Sequence, residues 1–223
     1  MTVLRFPRGL YGVTPEWDDT DRLLLAVQQA AAGGMRTLQL RRKDVPDAAR
    51  AAQARALAPL CRELGVVLMI NDHWRLALEV GADGVHLGRD DGDLAEVRRL
   101  APDLIVGASC YDELDRARRQ MDAGADYIAF GAVFPSPTKP QAVHAPLALL
   151  GQARELTGQQ PRPRPAVVAI GGITPQNALL AVQAGADAIA VITGLFEAPD
   201  IAAAARACAA PYAPASRPPA ATE

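Results

Sequence analysis

Eight short, continuously apolar runs recur along this chain, each separated from the next by a longer segment. They read "LYGVT" (10–14), "RTLQL" (36–40), "VVLMIN" (66–71), "GVHL" (84–87), "LIVGAS" (104–109), "YIAF" (127–130), "AVVAI" (166–170) and "AIAVI" (188–192). A strand that is apolar at nearly every position is buried on both faces, which is the condition of a parallel sheet covered by helices. The spacers have helical periodicity: "DTDRLLLAVQQAAAGG" places Leu23, Leu24, Val27 and Ala30 on one face before a glycine stop. Eight such units predict an α/β fold, a single-domain (β/α)8 TIM barrel over residues 1–210. An open doubly wound sheet is the alternative that the same pattern allows. A near-repeat favours the barrel. "GADGVHL" (81–87), "GADYIAF" (124–130) and "GADAIAV" (185–191) each end a helix on a glycine and enter a buried strand. This repeat speaks for architecture, not for function.

Composition narrows the class of function. Half of the 223 residues are hydrophobic, enough for a sizeable core, and the net charge of -2 gives no reason to expect a nucleic-acid partner. The three cysteines, Cys61, Cys110 and Cys208, are scattered and odd in number, as in a reduced cytoplasmic protein. No apolar run approaches a membrane span, and "MTVLRFPRGL" lacks the apolar centre of a signal peptide. The expectation is a soluble cytoplasmic domain with no membrane partner. A homo-oligomer is compatible with the sequence. Two segments read as unstructured: the polar, Pro-rich "TGQQPRPRP" (157–165) and the Pro/Ala-rich tail over 211–223.

Only two of the 23 basic residues are lysines, Lys43 and Lys139, and both follow predicted strands. In a parallel barrel functional residues gather at the C-terminal strand ends. Read in order, those ends supply Gln39, Arg41, Arg42 and Lys43; Asn71 and Asp72; Arg89, Asp90 and Asp91; Ser109; Ser136, Thr138 and Lys139; Gly171 and Gly172; and Thr193 with Gly194. Arg41, Lys43 and Lys139 suit phosphate oxygens, and the hydroxyls and glycines offer donors for a second phosphate. Asp72 and Asp91 are hard oxygen ligands on separate strands, in the small number that Mg2+ takes when water and phosphate complete its shell. The joint reading is a metal-assisted phosphate or diphosphate site. Taken singly, each feature has a plainer reading. Asp72, Asp91 and Asp93 could be helix caps, "RRKD" a solvated helix start and "GGIT" a tight turn. His73 and His144 read as surface residues, His86 as a hydrogen-bonded strand residue, and Cys110 lacks a paired base.

The motifs "QLRRK", "INDHWRLALEVGADGVHLGRDD", "GAS", "GADYIAFGAVFPSPTK", "AIGGIT" and "GADAIAVIT" together resemble thiamine phosphate synthase, in order and spacing, over about residues 9–208. The resemblance implies a transferase of thiamine biosynthesis. In that reaction hydroxymethylpyrimidine diphosphate ionises with Mg2+ assistance, and the ring nitrogen of hydroxyethylthiazole phosphate captures the cation. By the same resemblance Gln39, Arg41, Lys43, Asn71, Ser109 and Lys139 hold the pyrimidine diphosphate, and Leu40 and Arg42 belong to that binding segment. Arg41, Lys43, Ser109 and Lys139 would be the catalytic set, and Asp72 and Asp91 the metal ligands. Ser136, Pro137, Thr138, Gly172, Ile192 and Thr193 would hold the thiazole phosphate. The chain departs from the family pattern at Arg89, Tyr111, Ser136, Pro140 and Thr193, and of these Arg89 is the one close to the metal region. Three rivals share the barrel: a thiazole tautomerase of the same superfamily, an aldolase forming a Schiff base on Lys43 or Lys139, and a non-catalytic phosphate-binding barrel.

Overall fold

A computed structural model describes residues 4–135 and 143–213 of the chain. Eight parallel strands close on themselves: β1 (Gly9–Val13), β2 (Met35–Leu40), β3 (Val67–Asn71), β4 (Gly84–Leu87), β5 (Ile105–Tyr111), β6 (Tyr127–Phe130), β7 (Ala166–Ile170) and β8 (Ala188–Val191). Pairing of β1 with β8, Leu10 opposite Ile189, completes the barrel and excludes the open sheet. The helices are α1 (Thr20–Ala32), α2 (Asp47–Leu64), α3 (Trp74–Val80), α4 (Leu94–Leu100), α5 (Leu114–Asp122), α6 (Ala148–Gly158), α7 (Ala178–Gln183), α8 (Thr193–Phe196) and α9 (Ile201–Ala209). No helix among the described residues is long and apolar enough to cross a membrane.

Because strand side chains alternate, each strand divides its residues between two cores. Leu10, Leu38, Leu40, Leu68, Val106 and Ile128 face outward and pack with Leu23, Val27 and Leu57 of the helices. At roughly 1.5–3 kcal/mol for each large apolar side chain fully buried, this layer is the main support of the fold. Inside the barrel lie Tyr11, Val13, Met69, Tyr127 and Val168, closed from below by Phe6. The Phe6 ring sits 4.1 Å from Tyr127 and 5.2 Å from Tyr11, centroid to centroid.

Two segments differ from the expectation of disorder. Helix α6 runs through Thr157, which is fully buried, so the Pro-rich connection is shorter than its composition implies. That connection is pinned by Arg164, which is buried and reaches both oxygens of Asp187 at 2.8 and 2.9 Å. The tail expected to begin at Pro211 stays ordered slightly further. Ala210–Tyr212 form a 3-10 turn, and Tyr212 packs on the outer core. The rest of the tail, 214–223, lies outside the described residues.

Candidate active site

The upper rim is assembled one strand end at a time. β2 turns Gln39 into the barrel, where it is 4 % exposed, and turns Leu40 outward into the helix-facing core. Leu40 therefore shapes the rim from behind. Arg41 returns to the rim: its N–H donates to Thr14 Oγ1 (2.9 Å), and its guanidinium pairs with Glu16 (2.9 Å). Arg42 points away again and is buried, paired with Asp18 at 2.5 Å. Behind this loop Arg50 of α2 donates to the carbonyls of Arg42 (2.8 Å) and Val45 (3.1 Å), holding the backbone that presents Lys43.

Lys43 is the centre of the rim. Its Nζ lies 3.1 Å from Asp72 Oδ2 and 3.7 Å from Asp91 Oδ2, so one ammonium joins carboxylates from β3 and β4. Asp72 Oδ2 also accepts from Asn71 Nδ2 (2.5 Å), whereas Asp72 Oδ1 is buried with no partner. Burial raises the Asp72 carboxyl above its ordinary value; Lys43 opposes the shift and Asp91 adds to it. Asp72 also has φ 64°, a left-handed backbone that costs a non-glycine residue on the order of 1 kcal/mol and persists only where the surrounding structure holds it. It caps no helix: the cap of α3 is His73, without a side-chain bond. Asp91 does not cap α4 either, since Asp93 does, accepting from Ala95 N–H at 3.0 Å. Asp91 instead accepts from Gly88 N–H at 3.1 Å.

Two facing carboxylates, one with an unpartnered buried oxygen, already hold a cationic group between them. The donor set fits a hard divalent cation. Among the described residues no three His, Cys, Asp or Glu side chains cluster into an all-protein cage. Two carboxylates with room for water and phosphate is the arrangement Mg2+ favours.

On β5, Ser109 Oγ lies 2.8 Å from His86 Nε2, and the Ser109 carbonyl accepts from Arg116 Nε at 2.7 Å. His86 is the hydrogen-bonded strand residue expected, and burial lowers its pKa to about 4, with Asp91 opposing and Lys43 reinforcing the shift. Arg89 is held by Glu113 and lies 4.7 Å from the Tyr111 ring centroid. Cys110 is buried, its thiol pushed up to about 12 by burial. The three cysteines are unpaired.

The far side of the rim is a glycine cradle. Gly171 and Gly172 have φ 100° and 63°. A Cβ on Gly172 would lie 2.4 Å from the Pro135 carbonyl oxygen, and one on Gly194 would lie 2.5 Å from that of Ile173. The loops after β6, β7 and β8 thus touch where only glycine fits. Ile192 packs on the interior core beside Thr193, the first residue of α8. Ser136, Pro137, Thr138, Lys139 and Pro140 lie outside the described residues. Sequence reading missed Thr14, Glu16, Arg50 and the two interior tyrosines. Only Tyr11 and Tyr127 left a trace, as polar-tipped residues at inward positions of predicted strands.

The class this architecture defines is a (β/α)8-barrel enzyme that works on small molecules at its cation-rich strand ends. Comparison narrows the class. Residues 10–195 match the family described as thiamine monophosphate synthase. A thiamine-phosphate synthase from Bordetella avium (strain 197N) is 71% identical over 212 residues, 95% of this chain and 98% of the relative. One from Chromobacterium violaceum is 54% identical over 202 residues, 90% and 94% of the two chains. The solved structure of a thiamine phosphate pyrophosphorylase from Pyrococcus furiosus superposes with a TM-score of 0.78 at 33% identity, covering 91% of this chain and 94% of that one. The chain belongs to the thiamine monophosphate synthase family. It is an enzyme, a transferase.

Proposed function

We propose that the chain joins 4-amino-2-methyl-5-(diphosphooxymethyl)pyrimidine to hydroxyethylthiazole phosphate, releasing diphosphate and forming thiamine phosphate. The observation that carries this reading is Lys43 seated between Asp72 and Asp91, with Asp72 Oδ1 buried and unpartnered. The bond from the pyrimidine methylene carbon to the diphosphate oxygen breaks, and the thiazole nitrogen donates its electron pair to that carbon. Negative charge grows on the departing oxygens, so groups that meet them more strongly in the transition state than in the substrate raise the rate. We assign Lys43, Arg41, Ser109 and Lys139 to that role. Gln39 and Asn71 orient the pyrimidine diphosphate. Asp72 and Asp91 would hold Mg2+, which supplies charge neutralisation to diphosphate oxygens. Backbone N–H groups at the Gly171-Gly172 turn, with Ile192, Thr193, Ser136 and Thr138, cradle the thiazole phosphate. No general base is needed for this step.

Lys43 Nζ is engaged by two carboxylates, which argues against a Schiff base on Lys43. The buried, unpaired cysteines support a cytoplasmic setting. The test is direct: the full chain is mixed with both substrates, with and without Mg2+, and thiamine phosphate is measured. Product should form with Mg2+ and stop in EDTA. Asp72→Asn and Asp91→Asn should each lower turnover by on the order of a hundredfold or more, with the circular dichroism spectrum unchanged. Activity retained in EDTA, or in both variants, would remove the metal assignment; no product from the wild type would remove the function.

A further inference from the structure

A file of five polar side chains crosses the barrel interior from β2 to β5. Gln39 Nε2 donates to Tyr11 Oη (2.5 Å), and Tyr11 Oη meets Tyr127 Oη (2.9 Å). Tyr127 Oη meets His86 Nδ1 (2.9 Å), and His86 Nε2 meets Ser109 Oγ (2.8 Å). The two ends belong to the rim assigned above to the pyrimidine diphosphate. The three residues in the middle have no role in that assignment.

Proton counting restricts the file. Each hydroxyl has one proton and a neutral imidazole one N–H. With the Gln39 amide donating, Tyr11 must donate to Tyr127 and Tyr127 to His86 Nδ1. The ring proton then sits on Nε2 and is donated to Ser109 Oγ, leaving the Ser109 proton directed elsewhere. In the opposite polarity Ser109 donates to His86 and presents only lone pairs to the rim, which would repel an anion. The file is also sterically set. The His86 ring stacks on Tyr127 at 5.6 Å and 20°. Tyr127 in turn lies over Gly107, where a Cβ would come within 1.9 Å of its Cζ.

We propose that Tyr11, Tyr127 and His86 are positioning residues that hold the Ser109 hydroxyl as a donor toward an anionic diphosphate group and couple it to Gln39. This rests on the reading of the rim as a diphosphate site.

The chain has three histidines, so nitrogen-15 labelling of histidine gives a spectrum simple enough to read each tautomer, with His86→Gln assigning the signal. His86 should be the Nε2–H form, and more fully so with inorganic diphosphate bound. An Nδ1–H form in the presence of diphosphate overturns the proposal, and this readout needs no folded variant. Kinetically, Tyr127→Phe should lower kcat/KM by on the order of tenfold, the scale of one misdirected donor to a charged group. In a Ser109→Ala background the same change should cost less than about twofold, because the donor it orients is gone. Equal losses in both backgrounds would make Tyr127 merely structural. Failure of the functional reading looks different. The wild type would then make no thiamine phosphate, while the His86 tautomer and the Tyr127–Ser109 coupling in calorimetric diphosphate binding still report on the file.

Discussion

His86 shows what a barrel interior does to one side chain. Burial lowers its pKa to about 4, whereas an imidazole in the unfolded chain titrates near 6.5, as free histidine does. Between those values the unfolded chain binds a proton that the folded chain does not, so stability falls as pH falls through this window. Urea unfolding should show the wild type losing on the order of 2 kcal/mol between pH 7 and 4.5 that a His86→Gln variant does not lose. The same slope in both proteins would place the pH dependence elsewhere. At the rim burial also acts against charge, raising the Asp72 carboxyl, but there Lys43, 3.1 Å away, opposes the shift.

At the scale of elements, the three "GAD" turns do more than stop helices. Asp83, Asp126 and Asp187 each accept from a backbone N–H of the preceding strand: Leu68 at 2.7 Å, Val106 at 2.8 Å and Val167 at 2.9 Å. The carbonyl of each accepts from the next strand in the barrel, at Ile105, Ala166 and Gly9. One aspartate therefore clamps three neighbouring strands at the lower edge, three times around the barrel. The glycines were legible as turn signals because φ preference is local. The carboxylate bonds were not, because they cross between strands. Gly107 of β5 makes the same point from the interior. Gly107→Ala would drive a methyl into the Tyr127 ring, and overpacking of that kind costs about 1–3 kcal/mol. Thermal denaturation should show the loss together with reduced turnover. Gly158→Ala, where the new methyl meets nothing within 4 Å, should leave both near wild type. If Gly107→Ala is equally silent, the Tyr127 ring is not held as described.

Across the whole molecule the two ends of the barrel divide their duties. The upper rim concentrates cations, carboxylates and, among the described residues, both non-glycine positions of positive φ, Asp72 and Tyr111, while the lower end is tied by buried ion pairs. Asp187, 4 % exposed, receives Arg164, also buried, and Arg154 at 2.5 Å. Removing one partner of a buried pair strands the other, at a cost of about 3–5 kcal/mol. Asp187→Ala should therefore lower the urea midpoint by far more than Asp83→Ala, which removes one hydrogen bond at an equivalent turn. Catalytic constants of whatever fraction stays folded should hardly change, since this end is remote from the rim. Similar destabilisation by the two substitutions would mean that the Arg164–Asp187 pair adds nothing beyond the turn.

The sequence by itself determined the order of the elements, most strand boundaries to within about one residue, and the list of rim candidates. Burial on both faces writes itself into a strand as an unbroken apolar run, and strand ends then follow by counting. Asp93 as a cap was legible for the same reason, being decided within a few positions. Only the tertiary structure decided that Lys43 joins two carboxylates, that Leu40 and Arg42 turn away from the rim, and that Arg164 orders a Pro-rich connection. It alone brought Tyr11 to Tyr127 across 116 residues of chain. Such contacts depend on strand register and on closure of β8 against β1. These are properties of the assembled sheet, and no local run of residues encodes them.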